Sequence, residues 1–376
     1  MNHDPREQAL LTVDEQAIAS NTEFLSGVAG KPLMAVIKAD GFGHGLLTVA
    51  KTALGHGADS LGSTGLADPL RLRAAGVQAP ILSWLNPVSA NFEEAISHRI
   101  MLAVPSVEHL DAILRAATAL GQSAVVHLQL DLGMHREGLD PEAFEDLLSR
   151  LCRDPRADQL RVVGLMGHLG WAEDSSDALN VRAREVFEQA WRQCEEAGLG
   201  IRFRHLGGTA AVLADSRNHY DFCRVGAGLV GIDPSGSHRL RPAITLTAPV
   251  LETRRVRAGE YIGYGRHHRT AKASNLALLP LGYADGIPRI SSGLGQVRLA
   301  GKNRAITGLV NMDQIVVDTG EDRVLPGEVA TIFGAGTDGE PTVADWATWC
   351  NTLPHEIITG IGPRVHRINR PTAVVR

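Results

Sequence analysis

Residues 32–45 read PLMAVIKADGFGHG. An aliphatic run ends at Lys38, and the segment after it carries Gly41, Gly43 and Gly45. A short apolar run closed by glycine turn signals reads as a strand buried on both faces, which is how strands of parallel sheets look. The pattern recurs in ADSLG (58–62), PILSWL (80–85), RIMLAV (99–104), SAVVHLQL (123–130), LRVVGLMGH (160–168), IRFRH (201–205) and DFCRVG (221–226), with longer amphipathic stretches between. Eight strand–helix alternations predict an α/β fold whose N-terminal part is a closed (β/α)8 TIM-like barrel.

The intervening helices carry boundary signals. In VPSVEHLDAILRAATALG, Ser106 is placed to cap the start and Gly121 to end the last turn. In SDALNVRAREVFEQAWRQCEEAG, the residues Leu179, Val186, Phe187, Ala190, Trp191 and Cys194 form one apolar stripe at helical spacing. Near 233–243 the run DPSGSHRLRPA breaks the alternation with Pro, Gly and Ser, so the barrel is expected over 11–238 and a second domain over 239–376. That domain reads as mostly β, because ITLTAPVLETRRV, NLALLPLG, QVRLAG, NRAITGLV, QIVVDTG and EVATIFG are short β-branched or aliphatic runs parted by glycine turns. One late helix is expected near TVADWATWCNTL, and residues 1–10 are available to pair with this domain.

Composition narrows the function classes. With 376 residues, 44% hydrophobic and 21% charged, the chain has material for two ordinary globular domains. A net charge of −5 with bases and acids interspersed lacks the clustered basic footprint that nucleic acid requires. The polar opening MNHDPREQALL lacks the basic start and apolar core of a signal peptide, and no apolar run is long enough to span a bilayer, so a cytoplasmic protein without membrane contact is expected. Four cysteines at unpaired spacings (Cys152, Cys194, Cys223, Cys350) read as small buried hydrophobes. Fifteen histidines include no His-x-His pair on the first strand, so no metal site is expected.

Barrel enzymes place their reactive groups where strands end. A lysine at an apolar strand end is, taken alone, most often a surface residue with its stem laid on apolar ground. The surrounding AVIKADGFGHG, however, resembles the cofactor-lysine motif of the alanine racemase family, in which the lysine forms a Schiff base with pyridoxal phosphate. LPLGYADGIPR (279–289) resembles the family segment bearing the second catalytic base, at Tyr283. DLGMHREG (131–138) is similar to the DTGMxRxG loop and places Arg136, while His168 matches the family histidine near the cofactor ring. HLGGTAA (205–211) keeps a hydroxyl at Thr209, FCRVGAG places Arg224, Gly226 and Ala227, VNMDQIVVD (310–318) places Met312 and Asp313, and HEIITGIGPRVHR (355–367) is similar to the C-terminal signature. The matches run in family order over residues 35–367.

The resemblance implies a pyridoxal 5'-phosphate-dependent isomerase that interconverts L- and D-alanine, for instance for peptidoglycan. It implies Lys38 and Tyr283 as the two catalytic acid–base groups, because racemisation must remove a Cα proton from one face and return one to the other. Tyr283 would come from the partner subunit of a homodimer with shared active sites. Lys38, Phe42, Arg136, His168, Thr209, Arg224, Gly226 and Ala227 are implied as cofactor-binding, and Arg136, Met312 and Asp313 as substrate-binding. A phosphate held after strands seven and eight suits a barrel on general grounds. Arg224 beside the pyridine nitrogen would leave it unprotonated and steer the reaction away from transamination.

Several positions depart from the family pattern. Phe42 stands where most members have tyrosine, Gln129 where many carry a lysine that is often carbamylated, Gly208 in place of Asn, Val230 in place of Tyr, and Pro363 where some have tyrosine. These departures keep open a racemase for serine or for several small amino acids. A non-catalytic pyridoxal-phosphate carrier on the same barrel is the other alternative; carriers of that kind lack the second domain.

Overall fold

The computed structural model describes residues 4, 7–174, 176–233, 236 and 240–371. They form two compact units: one of residues 18–41 and 45–240, the other of residues 1–17, 42–44 and 241–376, taken over the described positions. The domain boundary expected at 238/239 lies outside the described residues.

The first unit is the barrel. Its eight strands are Leu33–Val36, Ser60–Thr64, Ile81–Trp84, Ile100–Val104, Ala124–Gln129, Leu160–Gly167, Phe203–Leu206 and Cys223–Val225. All seven ladders are parallel, and the last strand pairs back onto the first through Leu33–Cys223 and Ala35–Val225. The seventh and eighth strands share no ladder, but Asp221 N donates to Arg204 O and the Asp221 carboxylate accepts from Arg204 N, holding the seam nearly closed. Each strand matches one of the eight runs in the sequence, with ends shifted by a few residues.

Inside the barrel Met34, Val36, Leu82, Trp84, Ala103, Met166 and Phe222 pack together, and a larger layer joins the strands to the surrounding helices. Ser106 caps helix Val107–Leu120 by accepting from His109 N, and Gly121 ends it in the left-handed region. Helix Ala178–Glu196 buries Phe187, Ala190 and Cys194 as the stripe predicts. Leu179, counted in that stripe, is instead exposed in the first turn beside the cap Asp177. Cys194, Cys223 and Cys350 are buried, whereas Cys152 is exposed, a correction to its reading as a core residue.

The second unit is a nine-stranded sheet in the order Glu252–Val256, Ser274–Leu279, Ile315–Gly320, Lys302–Thr307, Gln296–Leu299, Val329–Phe333, Ile244–Pro249, Leu10–Asp14 and His366–Arg370. The N-terminal strand that joins it is Leu10–Asp14, antiparallel to Ile244–Pro249 and parallel to His366–Arg370. Helix Val343–Cys350 starts at a Thr342/Asp345 capping box and is anchored by fully buried Trp346, whose indole N–H donates to Ile332 O at 2.7 Å. A further helix, Pro354–Gly360, follows it. Among the described residues no helix is long and apolar enough to cross a membrane.

Candidate active site

Lys38 follows the first barrel strand. The chain then winds the wrong way: Ala39, Asp40, Gly41 and Phe42 all have φ between 53° and 63°. A left-handed turn costs roughly 1–2 kcal/mol for each residue with a Cβ, so glycine freedom at Gly41 explains only part of it. Gly41 N donates to Ile37 O, Gly45 N donates to Asp40 O, and the Asp40 carboxylate accepts from Leu46 N at 3.0 Å. These bonds hold strained backbone next to the lysine, a pattern that clusters at working sites. The Lys38 side chain keeps solvent access, and its pKa is lowered by partial burial and then by the Arg136 charge, with Glu137 opposing.

Arg136 lies in the loop after the fifth strand, and its Nη2 is 3.2 Å from the Glu137 carboxylate. The loop is knotted by Asp131, whose carboxylate accepts from Gly133 N, Met134 N and His135 N. His168 follows the sixth strand. Burial, then the charges of Arg224, Arg136 and Lys38, bring its pKa down to about 3.

Arg224, in the eighth strand, is buried. Its Nη1 donates to His205 Nδ1 at 2.7 Å and to His205 O at 3.1 Å; its Nη2 donates to Gly167 O at 2.7 Å and lies 3.4 Å from His168 Nδ1. The Nε–H has no acceptor among the described residues. Since His205 Nδ1 accepts, its Nε2 carries the hydrogen and donates to His127 Nδ1 at 2.9 Å. Both of these histidines are fully buried. Burial followed by the Arg224 charge takes His127 to about 3 and His205 well below the usual imidazole value.

Thr209 opens a short helix after the seventh strand, and its hydroxyl accepts from Gly226 N and Gly228 N, both at 3.2 Å. A Cβ at Gly228 would stand 2.7 Å from Thr209 Cγ2, so glycine is what lets the two turns meet. The amides of Ala210, Ala211 and Ala227 find no acceptor among the described residues. The barrel unit thus gathers Lys38, Arg136, His168, Thr209, Arg224, Gly226 and Ala227 at the ends of its strands.

The other candidates belong to the sheet unit. Tyr283, half exposed, starts a single 3-10 turn stitched to the neighbouring loop: Tyr283 N donates to Asn311 O and Ala284 N to Met312 O, each at 3.0 Å. Asp285 Oδ2 accepts from Gly282 N, and Arg364 joins Asp285 (3.1 Å) to Asp313 (2.7 Å). Met312 is exposed, and Asp313 is half exposed. Phe42 is buried against His355, with ring centroids 6.0 Å apart.

Sequence reading overlooked His127, His205, Glu137, Asp285 and Arg364. His205 and Glu137 lay inside quoted motifs.

Comparison with known proteins agrees in both units. The model for the alanine racemase N-terminal domain matches residues 13–234, and that for the alanine racemase C-terminal domain matches 243–369. An alanine racemase of Salinispora tropica is 40% identical over 370 residues, covering 97% of this chain and 100% of the relative. The crystal structure of alanine racemase from Streptomyces lavendulae has a TM-score of 0.94 at 35% identity and covers 97% of each chain. That of Bartonella henselae, solved with covalently bound pyridoxal phosphate, has a TM-score of 0.87 at 26% identity over 96% of this chain and 99% of the other. Matched over nearly its whole length in sequence and in fold, the chain belongs to the alanine racemase family and is an amino-acid racemase.

Proposed function

We propose that the enzyme interconverts L- and D-alanine with pyridoxal 5'-phosphate as its cofactor, acting in the cytoplasm as a homodimer in which Tyr283 of each copy serves the other's site. The product D-alanine suits use as a peptidoglycan precursor. The residues fit the cofactor on three counts. The Arg224 Nε–H is a spare donor for an aromatic ring nitrogen. Thr209 offers its hydroxyl proton and Ala227 its backbone amide to a phosphate, with the Gly226 amide orienting the Thr209 oxygen. Lys38 is an amine at the end of the first strand whose pKa partial burial and the Arg136 charge lower, which favours its nucleophilic form.

When bound, pyridoxal phosphate supplies the electron withdrawal that acidifies the substrate Cα–H. The chain does the rest. Lys38 and Tyr283 hold or accept the proton on opposite faces of Cα, each switching role with the direction of reaction. Arg136, Met312 and Asp313 orient the substrate carboxylate, while His168 and Phe42 flank the cofactor. Arg224 gives a hydrogen bond without surrendering a proton, which moderates electron withdrawal and favours return of the proton to Cα.

The observation that carries this reading is the fixing of Arg224 by His205, Gly167 O and His168, which leaves the Nε–H as the one donor free, by elimination, for a ligand. The test is a visible spectrum of the purified protein with borohydride trapping at Lys38, run beside chiral chromatography of L-alanine and L-serine reactions. A trapped cofactor with alanine racemised faster than serine is expected. Serine turnover above alanine turnover would sink the substrate assignment, and an untrappable or colourless protein the cofactor.

A further inference from the structure

The barrel rim brings three cations near one another, Lys38, Arg136 and Arg224, and each lowers the pKa of His168. Such a set repels itself unless an anion sits within it. Three carboxylates lie in the adjoining loop, of which Asp140 is exposed at its far end, just before helix Pro141–Arg153. Asp131 is committed to three backbone amides, and its second oxygen faces His135 at 3.6 Å. Glu137 is different. Its side chain is only 12% exposed, one oxygen pairs with Arg136, and the other is buried without a hydrogen-bond partner.

A carboxylate placed so would be costly if its only return were one pair with an exposed arginine. The backbone nevertheless enforces the position. Asp131 N donates to Leu139 O and Leu139 N to Gln129 O, closing the loop at its base. Gly138 sits at φ 112°, and a Cβ there would be 2.4 Å from Asp131 N, so the chain re-enters beside its own outgoing strand immediately after Glu137. A cavity of about 10 Å³ is lined by Gln129, Arg136, Glu137 and His168. Gln129 is buried and neutral, its Oε1 has no partner, and it adds no charge to balance the rim.

We infer that Glu137 is a positioning residue: its carboxylate fixes the Arg136 guanidinium and is the counter-charge that lets Lys38, Arg136 and Arg224 share one rim. The inference rests on the reading of those three as the site's working cations. The influence of Glu137 reaches both Lys38 and Arg224, raising the pKa of each against their mutual repulsion. The charged and titratable groups around Lys38 and Glu137 that would also move a titration are Arg136, Arg224, His168 and Asp131.

The test compares wild type with Glu137→Gln, which keeps the shape and removes the charge, and with Glu137→Asp, which keeps the charge. Lys38 is titrated in cofactor-stripped full-length protein by 13C reductive methylation and NMR, practicable because the chain has five lysines. Alanine kinetics are measured on separate, unmethylated preparations loaded with cofactor. In Glu137→Gln the Lys38 pKa should fall by about one unit, as expected for losing a nearby opposite charge. Its kcat should fall roughly tenfold or more with cofactor still bound, the loss expected for a charge-assisted hydrogen bond. Glu137→Asp should hold the Lys38 pKa near wild type. An unchanged Lys38 titration in Glu137→Gln, or an equal fall in both variants, overturns the inference. A wild-type protein that fails to racemise alanine would instead strike the functional reading, and the Lys38 titration would still decide the counter-charge.

Discussion

Arg224 Nη1 lies 2.7 Å from His205 Nδ1, and that one contact fixes hydrogens along a buried row. A guanidinium only donates, so His205 must accept at Nδ1 and donate from Nε2 to His127. The His127 Nε2–H then ends the row buried and without a partner. A guanidinium so held cannot swing, and only its Nε–H remains to meet a ligand.

The first prediction concerns that donor. Replacing Arg224 with glutamate puts an acceptor, or a transferable proton, where a fixed donor stood. Racemisation of alanine should slow by roughly ten- to a hundredfold, the equivalent of a lost charge-assisted hydrogen bond. The fraction of turnovers ending in pyruvate should rise. Chiral chromatography with a coupled pyruvate assay measures both, and an unchanged product ratio would defeat the proposed role.

Stability should also depend on pH through the same row. His127 has its folded-state pKa depressed to about 3 and His205 lies well below the usual value, so both stay neutral in the fold. The unfolded chain binds protons on these rings below about pH 6.5. Their contribution is therefore complete above that pH and is lost progressively as pH falls toward the folded values. At pH 5 His127 should cost on the order of 2 kcal/mol of stability relative to pH 7.5, and His205 acts in the same direction. Urea unfolding at the two pH values reads this out, and a His127→Phe variant should show a shallower pH dependence than wild type.

The third prediction separates the two acid–base groups. Tyr283→Phe should reduce kcat by roughly 10²–10⁴, the usual range for one such group. It should still exchange the Cα hydrogen of one enantiomer with deuterated water, because one face keeps its base. Lys38→Ala should lose borohydride-trappable cofactor as well. If Tyr283→Phe exchanges both enantiomers as fast as wild type, the two-face assignment is wrong.

Strands such as Leu33–Val36 and Ile81–Trp84 were legible because each is an apolar run, buried at every position, that needs no distant partner to be recognised. Lys38, Arg136 and Arg224 were legible because the segments around them, AVIKADGFGHG, DLGMHREG and FCRVGAG, resemble family motifs; position at a strand end alone would have left Lys38 a surface residue. His205 and Glu137 were not, since their meaning depends on what the fold places beside them: a guanidinium from the next strand for one, a loop closed by Gly138 for the other. The left-handed turn at Ala39–Phe42 was hidden for a related reason. Three glycines announced a turn, but nothing local required Ala39, Asp40 and Phe42 to join it. Leu179 misled because helical spacing alone does not reveal that a first turn faces solvent.

The last prediction tests how Tyr283 is placed. Gly282 has ordinary extended angles, φ −142° and ψ −165°, so an alanine there suffers no dihedral strain. Its Cβ would nonetheless stand 2.2 Å from Met312 O and 2.4 Å from Asn311 O, the carbonyls to which Ala284 N and Tyr283 N donate. Backbone atoms tied by those bonds cannot give way as a side-chain tip would, so the turn and the Met312 loop must separate. Gly282→Ala should lose about 1–3 kcal/mol, typical of overpacking, and its kcat should fall while cofactor affinity stays near wild type. Gly27→Ala is the control: it lies in helix Glu15–Ala29 with nothing within 4 Å of a Cβ, and should be neutral or stabilising by up to about 1 kcal/mol. Equal melting temperatures and equal kcat for Gly282→Ala and wild type would mean that the carbonyl contacts do not hold the tyrosine.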